Sequence, residues 1–149
     1  MKILAIESSC DETAAAVIED GRKILSSVVD TQIATHALYG GVVPEIASRR
    51  HMEAVVRVTE QALKDAEMDK HDVDAVAATC APGLIGALLV GANFGKSLAF
   101  AMNKPSGAPH PRTHCGHLSG VSGAETAVFD TDRVRRSQRD RDGEKLYRV

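Results

Sequence analysis

A short polar stretch between two apolar runs is the feature that most restricts how this 149-residue chain can fold. The apolar runs at residues 1–6 and 14–18 each suit a buried strand. Between them, Glu7–Thr13 carries hydroxyls, a thiol and three carboxylates. A tight polar turn between strands can form an anion-binding concavity. The segment therefore predicts a phosphate loop in which Asp11 and Glu12 position a metal ion or water; the alternative is an ordinary polar hairpin.

Hydrophobic periodicity predicts six elements before residue 105, in the order βββαβα. They are strands near Lys2–Glu7, Thr13–Glu19 and Ile24–Thr31, a helix from about Pro44, a strand near Ala75–Cys80 and a helix over Leu84–Met102. Asp20 and Gly21 form a hairpin signal, so the first three strands should be an antiparallel meander. A crossover helix should place the fourth strand parallel to the first. The fold class is therefore α/β with a mixed sheet, and residues 36–43 are expected to be a loop.

The helix that begins near Pro44 is expected to bury one apolar face. Its apolar residues recur at spacings of three and four: Met52, Val55, Val56, Thr59, Ala62, Leu63 and Ala66. The opposite face should be charged and solvated.

Composition excludes several classes of protein. A net charge of −2 provides no global attraction for nucleic acid. The three cysteines, Cys10, Cys80 and Cys115, have neither a disulfide framework nor zinc-site spacing, which favours reduced thiols in a cytoplasmic protein. The N-terminus shows no signal-peptide pattern, and the run 88–101 is too interrupted to span a bilayer, so no membrane association is expected.

Three further segments, Gly40–His51, Ala81–Gly91 and Gly95–Ala101, follow the polar stretch Glu7–Thr13. In order and spacing, the four segments resemble the start of the tRNA N6-adenosine threonylcarbamoyltransferase family (TsaD, formerly Gcp). That family was once labelled O-sialoglycoprotein endopeptidase. The resemblance covers residues 1–105 and implies part of an actin-like, ribonuclease-H-like (ASKHA) lobe, with one strand still missing.

The resemblance also implies an activity. The family transfers a threonylcarbamoyl group from threonylcarbamoyl-adenylate to N6 of the adenosine beside the anticodon in tRNA. The implied cofactors are a divalent metal, iron in the family, and an adenylate or ATP-type nucleotide. The implied partners are tRNA, the adenylate donor and other subunits of a tRNA-modification complex. Lewis-acid catalysis and precise orientation suit such a transfer.

The resemblance places the first loop on the phosphate side of a ligand cleft. Ser8, Ser9 and Cys10 are implied to line that side, and Asp11 and Glu12 are the candidate catalytic residues. The alternative for the two acids is a solvated acidic turn.

A second glycine turn is implied at Pro82, Gly83 and Leu84, where a helix N-terminus would face the adenylate. The alternative is a plain strand-to-helix turn. In the segment that contains Glu45, Arg49 and His51, Arg49 is a candidate RNA or ligand contact, with a structural salt bridge as the alternative.

The family's two metal-binding histidines lie four residues apart, the spacing of His110 and His114 here. Pro111 lies between them and disfavours a regular helix. The family's aspartate ligand has no counterpart in this sequence. We therefore interpret the match as an accident of spacing.

After Pro105 the character of the sequence changes. Seven of the 11 arginines but one of the seven lysines lie in residues 106–149, and no apolar period is visible. Either this is a disordered tail, or the reading frame has shifted. Back-translation of residues 107–137, read one base on, permits a paired histidine element, a helix and a strand ending in a glycine turn, as the family has next. The sequence thus predicts an out-of-frame tail without stable packing, on a truncated and inactive chain.

Three alternatives remain open on sequence. The first is a non-catalytic actin-like module for binding or dimerisation. The second is a metalloendopeptidase, as the old family label says. The third, at the level of fold, is a sugar kinase or actin-like ATPase; the segments Glu7–Thr13 and Gly40–His51 disfavour it, since fold alone does not determine function.

Overall fold

The computed structural model describes residues 1–110 and 115–118. Their elements are β1 (Lys2–Glu7), β2 (Glu12–Glu19), β3 (Lys23–Thr31), α1 (Ile33–Ala37), α2 (Pro44–Asp65), a 3-10 turn (Lys70–Asp72), β4 (Ala75–Ala78), α3 (Ile85–Ala101), β5 (Ser106–His110) and β6 (Cys115–Leu118). The predicted order βββαβα is confirmed up to residue 101. The sequence did not predict the short helix α1, which lies partly within the predicted loop at residues 36–43.

The strands form one mixed sheet with the order β3-β2-β1-β4-β5-β6. The first three strands pair antiparallel, and β4 lies parallel to β1, as predicted. Asp20, Gly21 and Arg22 join β2 to β3, and the N–H of Arg22 donates to the carbonyl of Glu19 at 3.1 Å. Asp20 and Gly21 have φ angles of 52° and 65°, in the left-handed region that Asp-Gly turns favour.

Beyond α3 the structure differs from the sequence prediction. Strand β5 pairs parallel with β4 at Val76 and Ala77, and β6 pairs antiparallel with β5. The sequence predicts no element there, and it predicts an open sheet edge beside β4. That edge carries unpaired backbone groups that favour an added strand. Residues 111–114 and 119–149 lie outside the described residues, so for them the absence of stable packing stays a prediction.

Helix α2 packs on β2 and β3 and also contacts α3. Its buried residues are Ala47, His51, Ala54, Val55, Val58, Thr59 and Ala62. The prediction was right for Val55, Thr59 and Ala62. It was wrong for Met52 and Val56, which are 61% and 49% exposed. Three alanines, Ala47, Ala54 and Ala62, are among the inward residues and let the helix approach the sheet closely, whereas His51 fills a larger buried space.

Helix α3 packs on the same sheet through small residues. At Gly91 an added Cβ would collide with Oγ of Ser8 and lie 3.2 Å from Cβ of Ser8. At Gly95 an added Cβ would lie 3.1 Å from Cβ of Ala78. The helix therefore lies against β1 and β4 at a distance that excludes larger side chains. Among the described residues, no helix combines the length and apolarity needed to cross a bilayer.

We expect Gly91→Ala to lower the free energy of unfolding by about 1–3 kcal/mol, because the new methyl group overpacks the contact with Ser8. Urea denaturation of the chain measures this. Gly41→Ala is the matched control, since nothing lies within 4 Å of its added Cβ. The double variant Ser8→Ala/Gly91→Ala should lose less stability than the sum of the two single variants. Additive losses would contradict the proposed contact.

Candidate functional site

Two loops meet where the parallel strands β1 and β4 end. The first spans residues 8–11 and the second spans residues 79–84. The backbone N–H of Leu84 donates to the carbonyl of Ser9 at 2.8 Å. An added Cβ at Gly83 would lie 2.5 Å from that same carbonyl oxygen. The structure thus brings the two predicted motif loops into direct contact at Ser9.

The carboxylate of Glu7, at the end of β1, forms hydrogen bonds to both loops. One oxygen accepts the backbone N–H of Ser9 at 2.6 Å, and the other accepts the hydroxyl of Thr79. The residue is 9% exposed, so this carboxylate is largely removed from water. A buried carboxylate held by donors from both loops ties the ends of β1 and β4 together.

The side chain of Ser8 faces α3. Its hydroxyl donates to the carbonyl of Ala87 at 2.8 Å and accepts the N–H of Gly91 at 3.1 Å. The residue is fully buried. The hydroxyl group of Ser8 is therefore fully used in hydrogen bonds to the helix. The predicted contact between Ser8 and a ligand stays a prediction, and it would have to involve the backbone of Ser8.

Three successive carbonyl groups of the first loop accept hydrogen bonds from three separate parts of the chain. Those of Ser9, Cys10 and Asp11 accept from the N–H of Leu84 (2.8 Å), Nε2 of His51 (3.0 Å) and the N–H of Gln32 (2.9 Å), respectively. Their carbonyl oxygens are thereby directed into the protein. The side chains of Asp11 and Glu12 are partly exposed, which leaves them accessible to a ligand.

His51 lies on α2 and is fully buried beneath the first loop. A carbonyl oxygen can only accept, so Nε2 of His51 carries the proton that it donates to Cys10. In the neutral ring Nδ1 is then an acceptor. It lies 2.8 Å from the hydroxyl of Thr13, which donates to it, and 3.4 Å from Nε2 of Gln32.

Burial lowers the pKa of His51 below its usual 6.5, since desolvation disfavours the charged imidazolium. The hydrogen bond to Cys10 and the charges of Glu7 and Asp11 oppose this shift, whereas His36 adds to it. The lowered pKa favours the neutral ring required by its hydrogen bonds.

This shift predicts that the chain loses stability as the pH falls below about 6.5. The unfolded chain then binds a proton at His51 that the folded chain resists, so the free energy of unfolding rises with pH through this window. We expect His51→Gln to remove up to about 1.4 kcal/mol per pH unit of that dependence. Urea denaturation at several pH values measures it. The exposed His71→Gln is the control and should retain the dependence; the same pH profile in His51→Gln would contradict the prediction.

The second loop presents Pro82 and Gly83 at the surface, beside the first loop. The Ala81–Pro82 peptide bond is cis. Leu84 directly precedes α3, and its N–H is the group that binds Ser9. The three predicted residues of this turn are therefore brought to the first loop, and their contact with an adenylate stays a prediction.

We expect Gly83→Ala to displace the first loop, because the new methyl group would meet backbone atoms of Ser9 that have little room to move. Amide hydrogen exchange at Leu84, whose N–H donates to Ser9, should accelerate by roughly tenfold as this hydrogen bond weakens. Strand β3 should keep its protection. Unchanged exchange at Leu84 would count against the contact.

Other predicted site residues lie apart from these loops. Arg49 forms an exposed ion pair with Glu45 at 2.8 Å, which matches the salt-bridge alternative and leaves an RNA contact a prediction. His110 ends β5, whereas His114 lies outside the described residues. Among residues 1–107, whose side chains the structure describes, no three His, Cys, Asp or Glu side chains converge as a metal site would require. The expected metal cofactor stays a prediction.

Sequence reasoning did not assign a role to Glu7, Gln32, His36 or Thr79. Glu7 had a signal, since a charged residue ends a buried strand beside the polar stretch. Gln32 and His36 had only their four-residue spacing, which pairs them with each other. Their other partners, and the partner of Thr79, are 15 or more residues away in sequence or are backbone groups.

A three-stranded meander, a crossover helix and a parallel fourth strand with polar loops at its end define the actin-like (ASKHA) class of α/β protein. YeaZ from Pseudomonas aeruginosa has a similar fold, with a TM-score of 0.53 at 22% sequence identity, covering 72% of this chain and 42% of that one. This likeness supports the fold class alone.

The model of the family TsaD, tRNA N6-adenosine threonylcarbamoyltransferase, matches residues 23–111. The enzyme of that name from Treponema denticola is 61% identical over 105 residues, which are 70% of this chain and 31% of the relative. The Clostridium novyi enzyme is 55% identical over 120 residues, 80% of this chain and 34% of the relative. The chain belongs to the TsaD family, and it spans about a third of the length of these curated relatives.

Proposed function

We propose that residues 1–105 form one wall of a site that transfers a threonylcarbamoyl group from threonylcarbamoyl-adenylate to N6 of adenosine in tRNA. The observation that carries this proposal is the contact at Ser9, where the two loops shared with the transferase family meet. Membership of a tRNA-modifying family supports tRNA as the substrate. A cytoplasmic location and partner subunits of a modification complex belong to the same proposal.

The reaction needs orientation more than covalent help from the protein. The N6 amine attacks the carbamoyl carbonyl carbon, the bond to the phosphate oxygen breaks, AMP leaves with the bonding electrons, and the amine loses a proton. A loop in which the carbonyls of Ser9, Cys10 and Asp11 bond to the protein suits this task, because those oxygens are turned away from an anionic adenylate. Asp11 and Glu12, which are partly exposed, are the candidates for holding water or accepting a proton.

A divalent metal and an adenylate nucleotide are part of the proposal on the strength of the family. A metal would supply Lewis-acid polarisation of the carbonyl. Residues 1–107 do not assemble a complete ligand set for it.

Exposed apolar side chains favour a second function, docking of another subunit. Met52 and Val56 on α2 and Ile85 and Leu89 on α3 are exposed, and the two helices pack against each other. This surface supports the module alternative as a property of the same chain.

We further propose that the 149-residue polypeptide does not catalyse transfer when tested by itself. The described loops form one wall, and a donor bound there would remain open to water and poorly oriented. The test is transfer of labelled threonine to tRNA, with the donor-making enzyme supplied. The comparison is a chain whose reading frame is changed by one base near the codon for Ser106, supplied with the same candidate partner subunits.

We expect activity in the frame-changed chain alone. In that chain Asp11→Asn should lower the rate by about a hundredfold, the usual scale for a group that transfers a proton. Glu60→Gln, on the exposed face of α2, is the matched control and should leave it unchanged. Equal activity in the two parent chains would refute the frameshift interpretation, and inactivity in both would refute the proposed transfer.

A further inference from the structure

A buried chain of hydrogen bonds runs from the segment before α2 to the first loop. The N–H of Val43 donates to Nδ1 of His36 at 3.3 Å, and Nε2 of His36 lies 3.1 Å from Oε1 of Gln32. Nε2 of Gln32 lies 3.4 Å from Nδ1 of His51, and Nε2 of His51 lies 3.0 Å from the carbonyl oxygen of Cys10. Four polar links thus join two loops that are distant in sequence.

Backbone groups at both ends determine the direction of every link. The N–H of Val43 can only donate and the carbonyl of Cys10 can only accept. His36 must therefore accept at Nδ1 and donate at Nε2, and the same assignment follows for His51. Both rings are then neutral, and the amide of Gln32 accepts from one and donates to the other.

Burial makes these partners hard to replace. Gln32 and His36 are each 3% exposed and His51 is fully buried. Water has little access to substitute for a lost partner, so the polar atoms depend on one another. Nδ1 of His51 has a second, closer partner in the hydroxyl of Thr13 at 2.8 Å. Gln32 also binds the first loop directly, since its backbone N–H donates to Asp11.

His36, near one end of the hydrogen-bond series, lies next to an exposed loop. The N–H groups of Tyr39 and Gly41 donate to the carbonyl of His36 at 3.0 and 3.3 Å, so this loop folds around that residue. Leu38 is 83% exposed and Tyr39 is 60% exposed. These bonds connect the exposed loop at residues 38–42 to the buried series of hydrogen bonds.

We propose that His51 is a positioning residue whose Nε2–H sets the orientation of the Cys10–Asp11 segment, and that Gln32 and His36 connect it to the exposed loop at residues 38–42. The assignment of the first loop to donor binding rests on the proposed function. The positioning itself rests on the hydrogen bonds of this chain, and it is measurable without transfer activity.

The first test needs no substitution. Long-range nitrogen–proton NMR of the unaltered chain at neutral pH distinguishes protonated from unprotonated ring nitrogens. We expect the Nε2–H tautomer at both His36 and His51. An Nδ1–H tautomer at His51 would overturn the proposal, since that ring is unable to donate to Cys10.

The second test separates positioning from packing. His51→Gln and His51→Met have side chains of similar size, and the amide alone can donate to the Cys10 carbonyl. We expect amide exchange at residues 10–12 to accelerate by roughly tenfold in His51→Met and to stay near that of the parent in His51→Gln. Exchange at Val17, in the interior of β2, is the internal reference for global stability, and His71→Gln is the surface control.

Equal exchange in the Gln and Met variants would mean that His51 only fills space, and it would overturn the proposal. Loss of protection at Val17 as well as at the loop would mean general unfolding, and the tautomer measurement then decides. If the frame-changed chain shows no transferase activity while the loop of the 149-residue His51→Gln variant stays protected, the proposed function is refuted and the positioning role stays intact.

Discussion

The hydroxyl of Ser8 determines how closely α3 approaches the sheet, and the arrangement of the two loops depends on that distance. The Ser8 hydroxyl bonds both the carbonyl of Ala87 and the N–H of Gly91. In a regular helix these two groups, four residues apart, would bond each other. A single side chain at the end of β1 thus satisfies backbone groups of the helix. Because the helix begins at the second loop, its placement also places Leu84 against Ser9.

Buried polar groups, rather than surface ion pairs, hold the candidate site. The pairs formed by Arg49 with Glu45 and by Arg50 with Glu53 are exposed at both partners and contribute little. The carboxylate of Glu7 and the imidazole of His51 are removed from water, and their partners lie in the loops themselves. An unpaired polar group in such a place is costly, so these contacts enforce one loop conformation.

The proposed transfer gives this arrangement a functional meaning. The carbonyls of the first loop bond to the protein, whereas the side chains of Asp11 and Glu12 are partly exposed at its edge. Rigid presentation suits a reaction that joins a weak amine to an activated carbonyl, where orientation supplies much of the rate. The chain spans about a third of its curated relatives. The proposed role of the described residues is accordingly one wall of a site.

The sequence by itself determined the meander, the crossover, the parallel fourth strand and the family, because each depends on local periodicity or on motifs read along the chain. The bounds of β1 and the start of α2 agree with the prediction to the residue. Tertiary structure decided the rest. Met52 and Val56 fit the helical period, yet they are exposed, because the buried face of α2 runs through the adjacent residues His51 and Val55. The roles of Gln32 and His51 required partners far away in sequence, and hydrogen bonds between such groups exist only once burial has brought them together and excluded water.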